Sequence, residues 1–261
     1  MNARERREKI IEFVNELEKV DIGFLKSKFN VSEMTIYRDL QRLESQGYLK
    51  KIIGGAIKIN DFLVHSESSF AKRLKIYNEE KKAIAKKAVE GIKDGDSIIV
   101  DAGTTSFLLV KEINKASLKD LTVITNNIIA QVELAQNKNV NVIATGGTVR
   151  DNSFSTVGVI AENILGDIMV DKVFITSKGI SKEGNLLDPD LNEGRIKCLF
   201  IQRARKRVLI VDSSKFGIIG FYIFSNISKF DTVITDSNIS GEYLKILNKM
   251  NVKLEIVKVD K

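Results

Sequence analysis

Several apolar, strand-like runs in the sequence end in residues that can bind an anion or a hydroxyl group. Ser97–Val100 runs into Asp101, Gly103, Thr104 and Thr105. Because the next segment reads as a helix, Gly103 lets the backbone approach a ligand, the threonines cap the helix, and its N–H groups face an anion. Other runs end in Thr125-Asn126, in Thr145-Gly146-Gly147 and in Asp212-Ser213-Ser214-Lys215. One such end alone is more often a cap or a turn. Several of them favour a shared pocket, because ligands bind at the carboxyl ends of strands in open α/β sheets.

The chemistry of these strand ends matches a phosphorylated polyol. Asp101 can accept hydrogen bonds from sugar hydroxyls. Thr104, Thr105, Arg150 and Lys215 can hold a phosphate, and charge-assisted hydrogen bonds are the stronger kind.

A second group of polar residues lies on one face of a predicted helix that follows Ser32 and ends at Gly47. Ser32 can cap this helix, and Ile36, Leu40 and Leu43 form its apolar stripe. Arg, Thr and Gln on the opposite face can read base edges in a DNA major groove, while lysines of the following hairpin contact phosphates. The candidate DNA-binding residues are Ser32, Thr35, Tyr37, Arg38, Gln41, Arg42, Lys50, Lys51 and Lys58. Charge alone leaves an alternative open, in which Arg38, Asp39 and Arg42 form a solvated face with local ion pairs.

Residues 1–59 read as helices followed by a hairpin. Apolar residues recur at helical spacing over residues 4–18, and Asp21 is a candidate N-cap for a short second helix. Strand-like runs over residues 48–53 and 56–59 flank Gly54-Gly55, which can take the positive φ angles of a tight turn. This order predicts a winged helix-turn-helix over residues 1–59, followed by a linker over residues 60–77.

From residue 78 to residue 261 the pattern alternates between helices and apolar strands. Helices are predicted over residues 78–92, 106–114, 128–137, 161–165, 193–204 and 241–250. Strands are predicted over residues 97–100, 122–124, 140–144, 172–176, 208–211, 232–234 and 253–257. Strands that are apolar on both faces and alternate with helices indicate a mainly parallel sheet covered on both sides. The predicted fold class is α/β, with a small N-terminal winged helix-turn-helix and a larger C-terminal α/β domain.

Composition narrows the class of protein. The 261 residues are 43% hydrophobic and 29% charged, which argues against disorder and low complexity. The apolar runs are far shorter than the ~20 residues of a membrane span, and the charged N-terminus lacks the apolar stretch of a signal peptide, so a cytoplasmic protein is expected. One cysteine, Cys198, and one histidine, His65, argue against a disulfide or a zinc site, and no cofactor is predicted. The formal net charge of +7 is compatible with a polyanionic partner.

The N-terminal motif closely resembles the DNA-binding end of DeoR-family transcriptional regulators. The resemblance is carried by Arg6, Ile10, Val14, the stretch Ser32-Glu33-Met34-Thr35-Ile36-Tyr37-Arg38-Asp39-Leu40, Leu43, Gly47, Leu49 and Gly54-Gly55-Ala56. The family usually has Arg at Tyr37 and His at Ile53, and these departures bear on operator sequence and wing contacts. Tyr37 lies on the flank of the helix, as a phosphate contact or as packing.

The second domain resembles the effector domain of the same family. The matching positions are Asp101 to Thr105, Thr125-Asn126, Gly146-Gly147 with Arg150, Gly158, Gly179-Ile180, Gly184, Glu193 with Lys197, Asp212 to Lys215, and Thr235-Asp236. The resemblance implies a sugar-phosphate sensor whose sheet is similar to that of ribose-phosphate isomerases. The candidate effector-binding residues are then Asp101, Gly103, Thr104, Thr105, Thr125, Asn126, Gly146, Gly147, Arg150, Glu193, Lys197, Asp212 and Lys215. The stretch Leu187-Asp188-Pro189-Asp190 departs from the usual loop and leaves the effector open.

Taken together, the sequence predicts a DNA-binding transcriptional regulator, a repressor of a carbohydrate-utilisation operon controlled by a phosphorylated sugar. Its expected partners are double-stranded operator DNA, the sugar effector and further copies of itself, because one small winged helix buries little DNA surface. A sugar-phosphate isomerase-like enzyme with a DNA-binding appendage is the alternative, since Asp101, Glu193 and Lys197 could move protons. A redox sensor with a dinucleotide fold ranks last, because the chain has no Gly-x-Gly.

Overall fold

The computed structural model describes residues 3–17, 19–45, 48–52, 54–58, 70–250 and 252–259, and it leaves the side chains of Lys19, Ser45, Lys50, Ile57 and Lys58 undescribed. The chain forms two compact units, Met1–Leu63 and Val64–Lys261. No helix in the described part of the chain is both long enough and apolar enough to span a membrane.

The first unit contains three helices and a three-stranded antiparallel sheet. Its elements are α1 (Ala3–Leu17), β1 (Lys19–Asp21), α2 (Ile22–Phe29), α3 (Glu33–Ser45), β2 (Leu49–Ile52) and β3 (Gly55–Lys58), with sheet order β1-β3-β2. The Asp21 carboxylate caps α2 by accepting a hydrogen bond from the Phe24 N–H at 2.6 Å. Asn30, in the left-handed region with φ 49°, ends that helix. This arrangement is the winged helix-turn-helix that the sequence predicts, with the short strand β1 as an addition.

The two glycines of the wing have different roles. Gly54 has a φ of +82°, which only glycine adopts readily, and it makes the turn between β2 and β3. Gly55 is extended, but a Cβ there would lie 2.1 Å from the Val20 carbonyl oxygen, so the close approach of β1 requires glycine. The predicted helix end at Gly47 and the strand ends at Ile53 and residue 59 lie outside the described residues.

The second unit is built on a seven-stranded parallel sheet. Its strands are β4 (Ser97–Val100), β5 (Leu121–Thr125), β6 (Val140–Ala144), β9 (Val170–Ile175), β12 (Ala204–Ile210), β14 (Thr232–Asp236) and β15 (Lys253–Val257), in the order β15-β14-β12-β9-β4-β5-β6. The helices are α4 (Phe70–Lys75), α5 (Asn78–Val89), α6 (Thr104–Lys115), α7 (Ile128–Leu134), α8 (Val159–Asn163), α9 (Leu191–Gln202) and α10 (Gly241–Lys249). The α/β class with a parallel sheet is confirmed.

Apolar side chains that alternate along the buried strands pack against helices on both faces of this sheet. Ile98 and Val100 of β4 belong to one apolar cluster, together with Ile84 of α5 and Leu109 of α6. Ile99, which points to the other face, belongs to a second cluster with residues of α8, α9 and α10. Residues Ile98–Val100 of β4 therefore read as a continuous apolar run, because both faces of this central strand are buried.

Several short strands beside the main sheet were not predicted. They are the hairpin β7 (Thr148–Arg150) with β8 (Ser155–Val157), and the small sheet of β10 (Gly179–Ile180), β11 (Asn185–Asp188) and β13 (Tyr222–Asn226). α4 lies within the stretch predicted as a linker, and the strand β12 begins at Ala204, where a helix end was predicted. The exact boundaries of the predicted domains stay a prediction.

Candidate effector site and nucleic-acid interface

Asp101 lies at the carboxyl end of β4 and is fully buried. Its Oδ2 atom accepts hydrogen bonds from the backbone N–H of Thr176 at 3.1 Å and from its hydroxyl at 2.8 Å, and it pairs with Lys197 of α9. Its Oδ1 atom is buried and has no hydrogen-bond partner among the described residues. One carboxylate oxygen thus links the end of β4 to Thr176 and to α9, while the other can accept a hydrogen bond from a ligand.

Lys197 is the buried cation of this site. Its Nζ donates to Asp101 and to the Thr176 carbonyl oxygen at 3.3 Å. Burial disfavours the ammonium form, but the carboxylates of Asp101, Asp188 and Glu193 outweigh it and raise the pKa of Lys197. Burial raises the pKa of Asp101 against the attraction of Lys197. Lys197 therefore provides a buried positive charge close to three carboxylates, those of Asp101, Asp188 and Glu193.

Glu193 is held through a single oxygen. Its Oε1 accepts hydrogen bonds from Arg150 Nη1 at 2.9 Å, from the Ser153 hydroxyl at 2.7 Å and from the Ser155 hydroxyl. Burial alone would raise the pKa of Glu193, but Lys178, Lys197 and the two serines lower it to about 2. Its Oε2 has no hydrogen-bond partner in the described part of the chain. Glu193 is therefore an ionised acceptor.

Buried oxygen acceptors recur after β4, β5 and β12 of the main sheet, at the end of β11 and in the first turn of α9. Five of them have no hydrogen-bond partner among the described residues: Asp101 Oδ1, Asn126 Oδ1, Asp188 Oδ2, Glu193 Oε2 and Asp212 Oδ2. A buried acceptor without a partner costs about 1–3 kcal/mol, so a ligand that brings several donors gains free energy from each pairing. Hydroxyl groups are such donors. No group of three or more His, Cys, Asp or Glu side chains among the described residues is arranged to hold a metal ion.

The start of α6 provides the anion-binding feature predicted after β4, with one correction. Gly103 is the N-cap, and no side chain caps the helix, since Thr104 and Thr105 occupy its first turn rather than the capping position. Gly103 is extended, and a Cβ there would lie 2.5 Å from the Thr176 hydroxyl oxygen, so its place in the packing requires glycine. The first N–H groups of this 12-residue helix have no intrahelical partner and favour an anion.

Two of the predicted strand ends are engaged within the fold. The Thr125 hydroxyl donates to the Val100 carbonyl oxygen at 2.6 Å and accepts from the Asn127 N–H at 3.0 Å, which ties β5 to β4. Gly147 has a φ of +109°, and a Cβ there would lie 2.6 Å from the Val157 carbonyl oxygen. Gly146 also has a positive φ, +63°. These residues shape the edge of the sheet, and their contact with a ligand stays a prediction.

Asp212 and Lys215 follow β12, the strand next to β9. Lys215 ends a short 3₁₀ turn, and its Nζ lies 3.8 Å from Asp212 Oδ2. Since the carboxyl ends of parallel neighbours share one edge of the sheet, this cation and carboxylate lie on the same edge as Asp101.

Two charged residues of the site, Lys178 and Asp188, were missed from the sequence, and so were two that lie beside it, Arg73 of α4 and Lys81 of α5. Burial lowers the pKa of Arg73, while Glu193 and Asp188 raise it, so Arg73 lies within range of these charges. Lys81 is buried and donates from Nζ to the Arg73 carbonyl oxygen at 2.6 Å and to the Ile76 carbonyl oxygen. Burial lowers the pKa of Lys81 to about 8. The basic run 72–75 was the available signal, but it lies in the stretch read as a linker.

In the first unit, α3 presents the predicted polar face. Ile36, Leu40 and Leu43 are buried. The exposed residues of the helix include Met34, Tyr37, Arg38, Gln41 and Arg42. The Ser32 hydroxyl lies 2.9 Å from the Thr35 hydroxyl and accepts from the Thr35 N–H at 3.3 Å, as a cap does.

The alternative of local ion pairs on this face does not describe Asp39 or Arg38. Asp39 is buried and binds Arg6 at 2.6 Å and Arg7 at 3.2 Å, so it joins α3 to α1. Arg38 forms no ion pair with any residue that the structure describes and is exposed. Arg38 is thus available to a partner outside the unit.

Tyr37 connects the helix to the wing. The Lys51 ammonium lies 3.8 Å from the centroid of the Tyr37 ring, a cation–π contact. Tyr37 is about half exposed, with 49% of its surface accessible, and it flanks the polar face as predicted. The side chains of Lys50 and Lys58, the other two predicted phosphate contacts of the wing, lie outside the described part of the structure.

Comparison with known families and proteins covers nearly the whole chain. Residues 6–62 match the family described as DeoR-like helix-turn-helix domain, and residues 77–237 match the DeoR C terminal sensor domain. An uncharacterized HTH-type transcriptional regulator, YulB of Bacillus subtilis, is 35% identical over 100% of this chain and 99% of its own length. The regulator GolR of Listeria innocua is 35% identical over 97% of this chain and 98% of its own length. The lactose phosphotransferase system repressor of Staphylococcus epidermidis is 34% identical, over 91% and 94%.

Among solved structures, ribose 5-phosphate isomerase A of Methanocaldococcus jannaschii aligns with 19% identity and a TM-score of 0.41. The alignment covers 54% of this chain and about half of the isomerase, 55% of its length. A likeness of this extent carries no information about activity.

Proposed function

Because the chain belongs to the DeoR family of helix-turn-helix transcriptional regulators and is itself a DNA-binding regulator, we propose that it represses a carbohydrate-utilisation operon and that a phosphorylated sugar controls it. The observation that carries the effector class is the set of buried acceptors, at strand ends and in α9, that have no hydrogen-bond partner among the described residues. The name of the Staphylococcus relative, a repressor of a lactose phosphotransferase system, supports the same direction.

The proposed ligand pairs its hydroxyl groups with the acceptors and its phosphate with the cations. Asp101 Oδ1 and Glu193 Oε2 accept from hydroxyls. The N–H groups at the start of α6 take the phosphate, together with Arg150 and Lys215. A neutral sugar lacks the phosphate and therefore binds more weakly.

We further propose that the protein acts in the cytoplasm and does not turn over its effector. Asp101 and Lys197 are the groups that an isomerase-like reaction would use, yet they are bound to one another and to Thr176. Lys197 is held by Asp101 and Thr176, and Glu193, the third group of the isomerase alternative, has its pKa lowered to about 2, which makes it a weak base near neutral pH. Turnover of any sugar phosphate would favour the isomerase alternative.

The experiment that tests the function selects DNA from a random-sequence pool with the full chain, with and without glycerol phosphate, ribose phosphate or fructose phosphate. We expect one recurring site and one compound that changes its recovery. The same compound should raise the melting temperature, since a ligand at about 100 times its Kd stabilises by about 2.7 kcal/mol. The unphosphorylated sugar is the control. Absence of a recurring DNA site contradicts the regulator, and absence of any thermal shift contradicts the effector class.

Arg38→Ala should weaken binding to the selected DNA site by about 1–3 kcal/mol if Arg38 makes a bidentate base contact. The fold should survive, because Arg38 is exposed and its neighbour Asp39 supplies the ion pairs to α1. Fluorescence anisotropy of labelled DNA measures the change. Lys245→Ala, an exposed lysine of α10, is the matched control for loss of one positive charge. Equal affinity of Arg38→Ala and wild type would place the groove-facing surface elsewhere.

The full chain should sediment as a dimer or a larger assembly, and the selected DNA site should be repeated or palindromic. Paired half-sites double the contacts that a single winged helix can make. Analytical ultracentrifugation measures the mass with and without DNA. A monomer in both conditions would reject this proposal.

A further inference from the structure

α4 joins the proposed effector site to the chain segment that leads from the first unit. It is the first described element after β3. The Phe70 ring packs edge-on against Phe107 of α6, with 5.8 Å between centroids, and against Phe154, with 6.0 Å. Arg73 Nη2 donates to the Asn152 carbonyl oxygen at 3.2 Å. Two side chains of α4 therefore hold the turn between β7 and β8.

The same turn is part of the effector site. Ser153 lies in it and donates to Glu193, and Arg150 precedes it with bonds to Glu193 and, at 3.3 Å, to Asp190. Phe154 has a φ of +49°, a left-handed conformation that bulky residues rarely adopt. Such strain persists only where the surroundings hold it. The turn is held by Glu193 on one side and by α4 on the other.

The far end of α4 is held by a residue of α5, Lys81. Lys81 donates to the carbonyl oxygens of Arg73 and Ile76, where a cation suits the end of a helix. Burial lowers the pKa of Lys81, and the carboxylate of Asp212, which follows β12, acts in the opposite direction and raises it. Tyr77, between α4 and α5, is left-handed with a φ of +51°. The first end of α4 is thus held by the rings of Phe107 and Phe154, and its far end by Lys81.

We propose that α4 transmits effector occupancy to the DNA-binding unit, with Arg73 and Phe70 as positioning residues for the β7–β8 turn. The proposal rests on the proposed function, because it concerns the regulation of the same site. A ligand that bonds to Glu193 or Arg150 changes the hydrogen bonds that hold the turn, and α4 moves with the turn because Phe70 and Arg73 connect them. The ligand alters DNA affinity only if it binds one arrangement of α4 better than another.

The test measures a coupling ratio, the DNA-site Kd with a saturating sugar phosphate divided by the Kd without it. The probe is whichever of glycerol phosphate, ribose phosphate and fructose phosphate shifts the melting temperature of the full-length wild type. We expect a wild-type ratio that differs from one by about tenfold. In Arg73→Gln and in Phe70→Leu the ratio should fall to within about twofold of one, while the thermal shift by the probe remains. Phe70→Leu keeps an apolar side chain at position 70 but removes the ring contacts with Phe107 and Phe154. It tests the same connection independently if Arg73→Gln fails to fold.

Two further variants separate positioning from a general loss of charge. Lys75→Gln changes an exposed residue of the same helix and should keep the wild-type ratio. Arg73→Lys retains a donor for the Asn152 carbonyl and should restore part of the ratio. A wild-type ratio in Arg73→Gln overturns the proposal, and so does joint loss of the ratio and the thermal shift, which would make Arg73 a ligand contact. If no probe shifts the wild type, the proposed effector class itself fails, and this proposal fails with it.

Discussion

Replacing Lys197 with methionine should lower the free energy of unfolding of the second unit by about 3–5 kcal/mol. Methionine fills a similar volume, but it leaves the buried carboxylate of Asp101 without its cation. Asp188 and Glu193 lose the same charge, which raises the pKa of each towards the neutral form. Urea denaturation of the full chain measures the change, and amide hydrogen exchange in β4 and β9 identifies the transition of the second unit.

Two controls test whether the cost comes from an unpaired buried charge. The double variant Asp101→Asn with Lys197→Met should recover a substantial part of the loss, because it removes both charges together. Lys182→Met breaks the exposed pair between Lys182 and Glu242 and should cost less than about 1 kcal/mol. An equal loss in the single and double Lys197 variants would mean that packing, and not charge, supplies the stability.

The fold could be predicted where local pattern and burial agree. The bounds of β4, β6 and β15 match the prediction to the residue. The central strand β4 has an uninterrupted apolar run, Ile98–Val100, because both of its faces are buried. The edge strands β6 and β15 keep apolar residues at alternate positions. β7, β8 and β10 were missed, since each has only two or three residues and depends on pairing with a neighbour rather than on its own composition.

The candidate site could be predicted only where its residues follow a strand that is recognisable from the sequence. Asp101 and Gly103 follow a recognisable strand, so their place at the sheet edge is readable from the sequence. Ser153 reaches the site through tertiary packing of the β7–β8 turn, and Arg73 of α4 contacts that turn from outside the site. The basic run 72–75 marks a cationic segment, but it does not show which residues the segment contacts, because those residues lie far away in the chain.

Glu193→Gln should remove an acid-dependent part of the stability of the second unit. The pKa of Glu193 falls from its ordinary 4.5 to about 2 because Lys178, Lys197 and the hydroxyls of Ser153 and Ser155 outweigh burial. A carboxylate whose pKa is lower in the folded than in the unfolded state contributes stability that is fully present above the unfolded pKa. That contribution is lost as the pH falls towards the folded pKa. For this shift it amounts to about 3 kcal/mol.

The free energies of unfolding of wild type and Glu193→Gln should therefore differ most near neutral pH, and the gap should narrow as the pH falls from about 5 towards 3. Urea denaturation at each pH, followed by circular dichroism, measures both curves. Glu242→Gln, at a carboxylate that is 58% exposed, should give a small difference at every pH. A gap for Glu193→Gln that widens as the pH falls over this range would show that folding raises the pKa of Glu193 and holds the carboxyl in its neutral form. The hydroxyl-binding role proposed for its Oε2 would then lose its basis, because a protonated carboxyl is a poorer acceptor than a carboxylate.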